Sequence, residues 1–169
     1  MKKPFLREYR NRNLLMEILA QQIADELKVC LEKKSSVTLA VPGGTTPKLL
    51  FNQLSLMDLE WCRVVVIPTD ERLVPETSIR SNLGLIRANL LKKRAIEARL
   101  ISFFEPGYKA HELSIHISEK LTGILPIDVC ILGMGSDMHT ASIFPGSDRI
   151  KDALDLDTPQ TIVPIVAPS

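Results

Sequence analysis

Three apolar runs constrain this chain more than any other feature: Val37-Thr38-Leu39-Ala40-Val41, Arg63-Val64-Val65-Val66-Ile67-Pro68 and Ile127-Asp128-Val129-Cys130-Ile131-Leu132. Each is short, rich in β-branched residues and followed by glycine, proline or charge, the pattern of a buried strand. The sequence between them has helical periodicity. Leu14, Leu15, Ile18, Leu19, Ile23, Leu27 and Leu31 recur at three- and four-residue steps, which predicts a helix over about residues 12–33. Thr46-Pro47 opens a second helix carrying Leu49, Leu50, Phe51 and Leu54, with Thr46 as its cap and Pro47 in its first turn. Leu83–Leu91 and His111–Leu121 read as further helices, and Arg99–Phe103 and Thr161–Val166 as further strand segments.

Strands alternating with helices predict an α/β fold, a mainly parallel sheet with helices on both faces. Right-handed crossovers then gather the loops after the strands on one edge. In open α/β sheets that edge is where ligands bind. With 169 residues and no repeat, low-complexity tract or linker, residues 1–169 are expected to form a single α/β domain.

Composition narrows the class. Hydrophobic residues at 45% and charged residues at 24% suit an ordinary globular protein. A net charge of +1 gives no reason to expect nucleic-acid or membrane binding. Lys33-Lys34 and Lys92-Lys93-Arg94 sit where helix ends are expected, and there they complement the helix dipole. Cys30, Cys62 and Cys130 are far apart and odd in number, which argues against disulfides or a zinc knot and fits a reducing cytoplasm. The stretch from Met1 to Tyr9 becomes charged too soon for a signal-peptide core, and no apolar run has membrane-spanning length.

The loops after the apolar runs carry the candidate chemistry. Pro42-Gly43-Gly44-Thr45-Thr46-Pro47 fits either a plain tight turn or a phosphate cradle of backbone N–H groups at a helix start. It lacks the lysine and spacing of a nucleotide P-loop and the pattern of a dinucleotide fold, so a small phosphorylated metabolite suits it better. Thr69-Asp70-Glu71-Arg72 is either solvated loop or a site in which Arg72 forks onto an anion and Asp70 orients it or a histidine. Ser81-Asn82 looks like a helix cap, and also like a lid on the site. His111 and His116, five apart on a helix, do not share a face and are read as ordinary helix residues. His139 differs, because it follows Gly133-Met134-Gly135-Ser136-Asp137-Met138 at the strand-end edge. Imidazole there can take a proton near neutral pH, although a capping role would also fit.

Three segments in order, Gly43-Gly44-Thr45-Thr46-Pro47, Asp70–Pro75 with Ser81-Asn82, and Leu132–Gly146, resemble the 6-phosphogluconolactonase family over nearly the whole chain. The resemblance implies a Rossmann-like fold of the glucosamine-6-phosphate deaminase/ribose-5-phosphate isomerase type. It implies hydrolysis of 6-phospho-D-glucono-1,5-lactone without metal or cofactor. Gly43, Gly44 and Thr45 would hold the phosphate, together with Arg72 and Asn82. His139 would act as general base, with Asp70 and Arg72 as catalytic partners. Pro42 stands where the family usually has Ser, and Met138 where it has Gly. The family pattern also continues with further strands, a helix and basic residues, so the chain is read as shortened at its C-terminal side. A truncated sheet predicts an open edge and self-association through it. The alternatives are a sugar-phosphate isomerase or deaminase of the same fold, or a catalytically impaired sugar-phosphate-binding remnant.

Overall fold

β1 (Val37–Val41) and β2 (Val64–Pro68) lie side by side in parallel, in a register that sets Val37 opposite Val64 and Val41 opposite Pro68. They form the centre of a four-stranded sheet in a computed structural model that describes residues 6–168. β3 (Arg99–Leu100) adds to β2 and β4 (Val129–Cys130) adds to β1, all in parallel, giving the order β3-β2-β1-β4. Met1 to Phe5, within the stretch read above for a leader, lie outside the described residues, as does Ser169. No helix of the described residues is long and apolar enough to cross a membrane.

The alternation of side chains along β1 and β2 divides the core. Leu39, Val41, Val64 and Val66 face α1 (Arg12–Leu31), α2 (Lys48–Leu54) and α3 (Asn82–Asn89), packing with Leu27, Phe51, Leu54, Trp61 and Ile86. Ala40, Val65 and Ile67 point the other way, onto Leu113, Ile117 and Leu121 of α4 (Ala110–Leu121). Every residue of both central strands is buried, which is why they read as unbroken apolar runs. Phe51 is fully buried in the larger cluster, and truncating such a side chain to alanine costs about 3–5 kcal/mol.

Local chemistry sets the ends of these elements. The Asn11 side chain caps α1 by accepting from the Leu14 N–H at 2.9 Å. Arg63 donates to the carbonyls of Leu31, Lys34 and Ser35, closing the far end of α1 against the start of β2. Asp128 accepts from the Thr38 N–H at 2.8 Å and pairs with Lys34, tying β4, β1 and the end of α1 together. These ties lie at the amino-terminal end of the sheet, away from the strand-end loops.

Several elements differ from expectation. Thr46 does not cap α2: the helix begins at Lys48, with Pro47 before it and no side-chain cap. The Arg99–Phe103 strand is reduced to Arg99–Leu100, extended only by the Ile101 N–H donating to the Val66 carbonyl. The run 127–132 pairs as a strand only at Val129–Cys130, with Asp128 and Ile131 bonded to β1 on either side. Cys130 and Leu132 are exposed, because β4 has a partner on one side only among the described residues. Thr161–Val166 is not a strand. Ile162, Val163 and Ile165 line a cleft with α4 and the loop after β4 instead of joining the sheet, while Val166 is exposed and its N–H donates to Asp148 at 2.8 Å. A short helix, α5 (Ile150–Leu154), precedes it and was not expected.

Candidate functional site

Parallel pairing decides where the loops fall. Val41 is level with Pro68, and Ala40 is level with Cys130. The segments beginning at Pro42, Thr69 and Ile131 therefore leave the sheet at one edge. The Thr69 N–H still donates to the Val41 carbonyl at 2.9 Å, which holds the first two loops together as they diverge. The strand order reverses direction at β1, so the edge is also a topological switch point.

The first two loops meet at Asn82. A Cβ on Gly43 would overlap the Asn82 side chain, so this position requires glycine for close approach. Gly44 has φ +85° with open space around it, and both Gly44 and Thr45 are exposed. Asn82 itself is buried. Its Nδ2 donates to the Asp70 carbonyl at 2.9 Å, and its Oδ1 accepts from Arg72 at 3.5 Å. Arg72 also donates to the Arg80 carbonyl at 3.0 Å, and its Nε lies 3.7 Å from Asp70 Oδ2. The Arg72 side chain is 39% exposed, so its guanidinium has capacity for an anion beyond these contacts. Ser81 caps α3, as expected, by accepting from the Gly84 N–H at 3.1 Å.

The third loop is joined to the second by Ser142, which donates to Asp70 Oδ2 at 2.5 Å. Asp70 is thereby held between Ser142 on one side and Arg72 on the other, its side chain only 11% exposed. Neither Ser142 nor Glu71 was singled out from the sequence. A serine three residues after a histidine carries no signal until the fold sets it against Asp70.

His139 has its own support. Its Nδ1 lies 2.5 Å from Asp137 Oδ1, and its ring rests on Phe144 with centroids 4.4 Å apart. A carboxylate at Nδ1 fixes the proton on that nitrogen and leaves Nε2 to accept one. The hydrogen bond from His139 holds the Asp137 carboxyl below the usual aspartate range, against a smaller opposing effect of desolvation. A Cβ on Gly135 would overlap the His139 ring, and the Gly135 N–H donates to the His139 carbonyl at 2.9 Å. Met138 does adopt a positive φ, +67°, and Ala141 follows at +50°. Thr140 Oγ1 is buried without a hydrogen-bond partner among the described residues, a polar group left unsatisfied beside His139.

The structure thus ties Gly43, Asn82, Arg72 and Asp70 into one set of touching groups. His139 stands on the neighbouring loop, in contact with Asp137 and Phe144 rather than with Asp70 or Arg72. A cleft of about 320 Å³ opens beside Asp70 and Ser142, walled by Phe103, Leu113, Ile143 and Ile162. The other histidines are ordinary helix residues, as expected: His111 is exposed, and His116 stacks on Tyr108 and contacts Glu105.

Residues 10–168 match the model of the family described as glucosamine-6-phosphate isomerases/6-phosphogluconolactonase. A 6-phosphogluconolactonase of Rhizobium meliloti is 39% identical over 160 residues, covering 94% of this chain and 69% of its own length. One from Pseudomonas aeruginosa is 40% identical over 154 residues, covering 89% and 64% respectively. The crystal structure of a 6-phosphogluconolactonase from Shewanella baltica superposes with a TM-score of 0.85 at 33% identity, over 89% of this chain and 65% of that one. The chain spans about two thirds of the length of these relatives. With the parallel sheet, the strand-end loops and these likenesses in agreement, the chain belongs to the glucosamine-6-phosphate isomerase/6-phosphogluconolactonase family.

Proposed function

We propose that residues 1–169 act as one sugar-phosphate-binding α/β domain that hydrolyses 6-phospho-D-glucono-1,5-lactone to 6-phospho-D-gluconate, a step of the oxidative pentose phosphate pathway. The observation that carries this reading is the Asp137–His139 pair standing at the sheet edge that also holds Gly43, Asp70, Arg72 and Asn82. In this scheme the exposed turn Gly43-Gly44-Thr45 takes the phosphate with its backbone N–H groups, and Arg72 adds a charge-assisted contact. Asn82 shapes the turn from behind Gly43.

His139 Nε2 removes a proton from water as the oxygen attacks the lactone carbonyl, and Asp137 stabilises the imidazolium that forms. The tetrahedral centre collapses by breaking its bond to the ring oxygen. That oxygen leaves as the C5 hydroxyl, taking the proton from His139, and the carboxylic acid so formed releases its remaining proton to solvent to give the carboxylate. Asp70 seats Arg72 and helps to orient the substrate, and the Arg72 guanidinium balances the negative charge that develops on the carbonyl oxygen. General-base help of this kind is worth about 10²–10⁴-fold. No cofactor or metal enters the scheme.

The test is the rate of lactone hydrolysis, coupled to 6-phosphogluconate dehydrogenase, with the spontaneous rate subtracted. Acceleration that is lost in His139→Ala supports the reading; equal rates in the two proteins exclude His139 as the base. The positive φ of Met138 favours a second reading, a catalytically impaired binder of the same sugar phosphates. Binding of 6-phosphogluconate by folded protein without lactone turnover would select it. Turnover of glucosamine 6-phosphate without lactone turnover would select an isomerase or deaminase instead.

We also propose a cytoplasmic location and self-association through β4 and the segment after it, where Cys130 and Leu132 are exposed. Sedimentation at increasing protein concentration tests the association; a concentration-independent monomer overturns it.

A further inference from the structure

The ten residues between Glu71 and Asn82 make a long excursion at the site edge, and one carboxylate joins its two ends. Glu71 Oε1 accepts from the Arg72 N–H at 2.7 Å and from the Asn82 N–H at 2.9 Å. Glu71 Oε2 accepts from the Leu83 N–H at 2.7 Å and from the Ser81 hydroxyl at 3.2 Å. A helix begins with N–H groups that have no partner within it. In α3 those of Asn82 and Leu83 go to Glu71 and that of Gly84 to the Ser81 side chain, and the Leu85 N–H to the Ser81 carbonyl is the first bond of the helix. Glu71 comes eleven residues before the helix it helps to cap.

The bonded atoms decide what this does. Arg72 and Asn82 are the two side chains that meet beside the Gly43 turn and Asp70, and Glu71 fixes the backbone of both. Without the two bonds to Oε1, Asn82 would be released from behind Gly43, and Arg72 from its seat beside Asp70. Glu71 touches neither the turn nor the reacting groups by any of these bonds. We infer that Glu71 is the positioning residue for the anion-binding half of the site, setting Arg72 and Asn82 through their backbones. This rests on the function proposed above, in which that half of the site holds the phosphate.

Glu71→Gln is the sharp variant, because it keeps the size of the side chain and one acceptor oxygen but sets an amide donor against donors. Glu76→Gln is the control: it removes a carboxylate of the same excursion that pairs instead with Arg87. The expected result for Glu71→Gln is a rise of about tenfold in KM for the lactone, and in Kd for 6-phosphogluconate, larger than the fall in kcat that accompanies it because Arg72 also serves the carbonyl oxygen. Amide exchange at Asn82 and Leu83 should quicken, and the Arg72 Nε–H resonance should shift, with none of these changes in Glu76→Gln. An unchanged KM and Kd in folded Glu71→Gln would overturn the inference. Should Glu71→Gln fail to fold, Glu71→Asp, one methylene shorter, is read by the same KM-against-kcat split and the same resonances. If the unsubstituted chain neither turns over the lactone nor binds 6-phosphogluconate, the proposed function fails by itself. The Arg72 and Asn82 resonances then decide whether Glu71 positions them, and their indifference to Glu71→Gln would overturn that as well.

Discussion

Ser142 donates its hydroxyl proton to the carboxylate of Asp70 across 72 residues of sequence, at 2.5 Å. This bond joins the loop that carries His139 to the loop that carries Arg72, so it fixes how far apart the two halves of the proposed site lie. Ser142→Ala should lower kcat/KM about tenfold, since a hydrogen bond to a charged acceptor contributes about 1.5–3 kcal/mol and water can replace part of it. The thermal midpoint should move by no more than a few degrees. Steady-state kinetics beside a melting curve checks both; unchanged kcat/KM would mean that the loops hold their spacing without this bond.

Met138 occupies a backbone region that disfavours side chains, with φ +67°. Replacing it by glycine removes about 1–2 kcal/mol of strain, while the freer unfolded chain returns about 0.4–1 kcal/mol. Met138→Gly should therefore raise the melting temperature by about 1–3 °C. Ser136→Gly, in the same loop at an ordinary φ, should lower it. Differential scanning calorimetry distinguishes the two, and equal effects would contradict the strain.

Glycine serves different ends at adjacent positions of the first loop. At Gly43 an added Cβ meets the Asn82 side chain, whereas at Gly44 it meets nothing and only the φ of +85° resists it. Gly43→Ala should displace Asn82 and weaken binding of 6-phosphogluconate markedly. Gly44→Ala should cost about 1–2 kcal/mol of stability, with a smaller effect on affinity. Calorimetric titration beside chemical denaturation would show the crossover; equal losses of affinity would deny it.

The carboxyl of Asp137 is lowered by its hydrogen bond to His139. A folded-state pKa below the unfolded one stabilises the fold above the unfolded value, and that contribution is lost as pH falls through the folded value. Carbon-detected NMR titration should place Asp137 below the ordinary aspartate range, and His139→Ala should return it upward. The same holds for Glu105, lowered chiefly by its hydrogen bond to Lys120, against a smaller effect of desolvation. Glu105→Gln should therefore lose its stability difference from the unsubstituted protein in acid. An Asp137 titration that His139→Ala leaves in place would show that the two side chains do not interact in solution.

What was legible in the sequence follows from what is local. α1 was readable because its apolar repeat is long, and β1 and β2 because they are buried on both faces. Ser81 was readable because a cap acts within its own turn. The segment 161–166 reads as a strand although it is not one, because apolar, β-branched residues look alike whether they join a sheet or turn toward a helix. The strand at 127–132 was overextended because the sequence does not say which strand sits beside another. The paired groups of the site, Ser142 with Asp70 and Glu71 with Asn82, were invisible for the same reason. Their chemistry exists only once the sheet has brought distant loops level.

The carboxylate of Asp128, bonded to Thr38 and Lys34 at the opposite end of the sheet, gives this arrangement a division of labour. Alignment of the strands is secured at one end, and the reactive loops are carried at the other. The loop end can therefore accept changes such as Pro42 or Met138 without the strands slipping. A lesion at Asp128, by contrast, would loosen β4 against β1, and with it the third loop, while leaving every residue of the site unaltered.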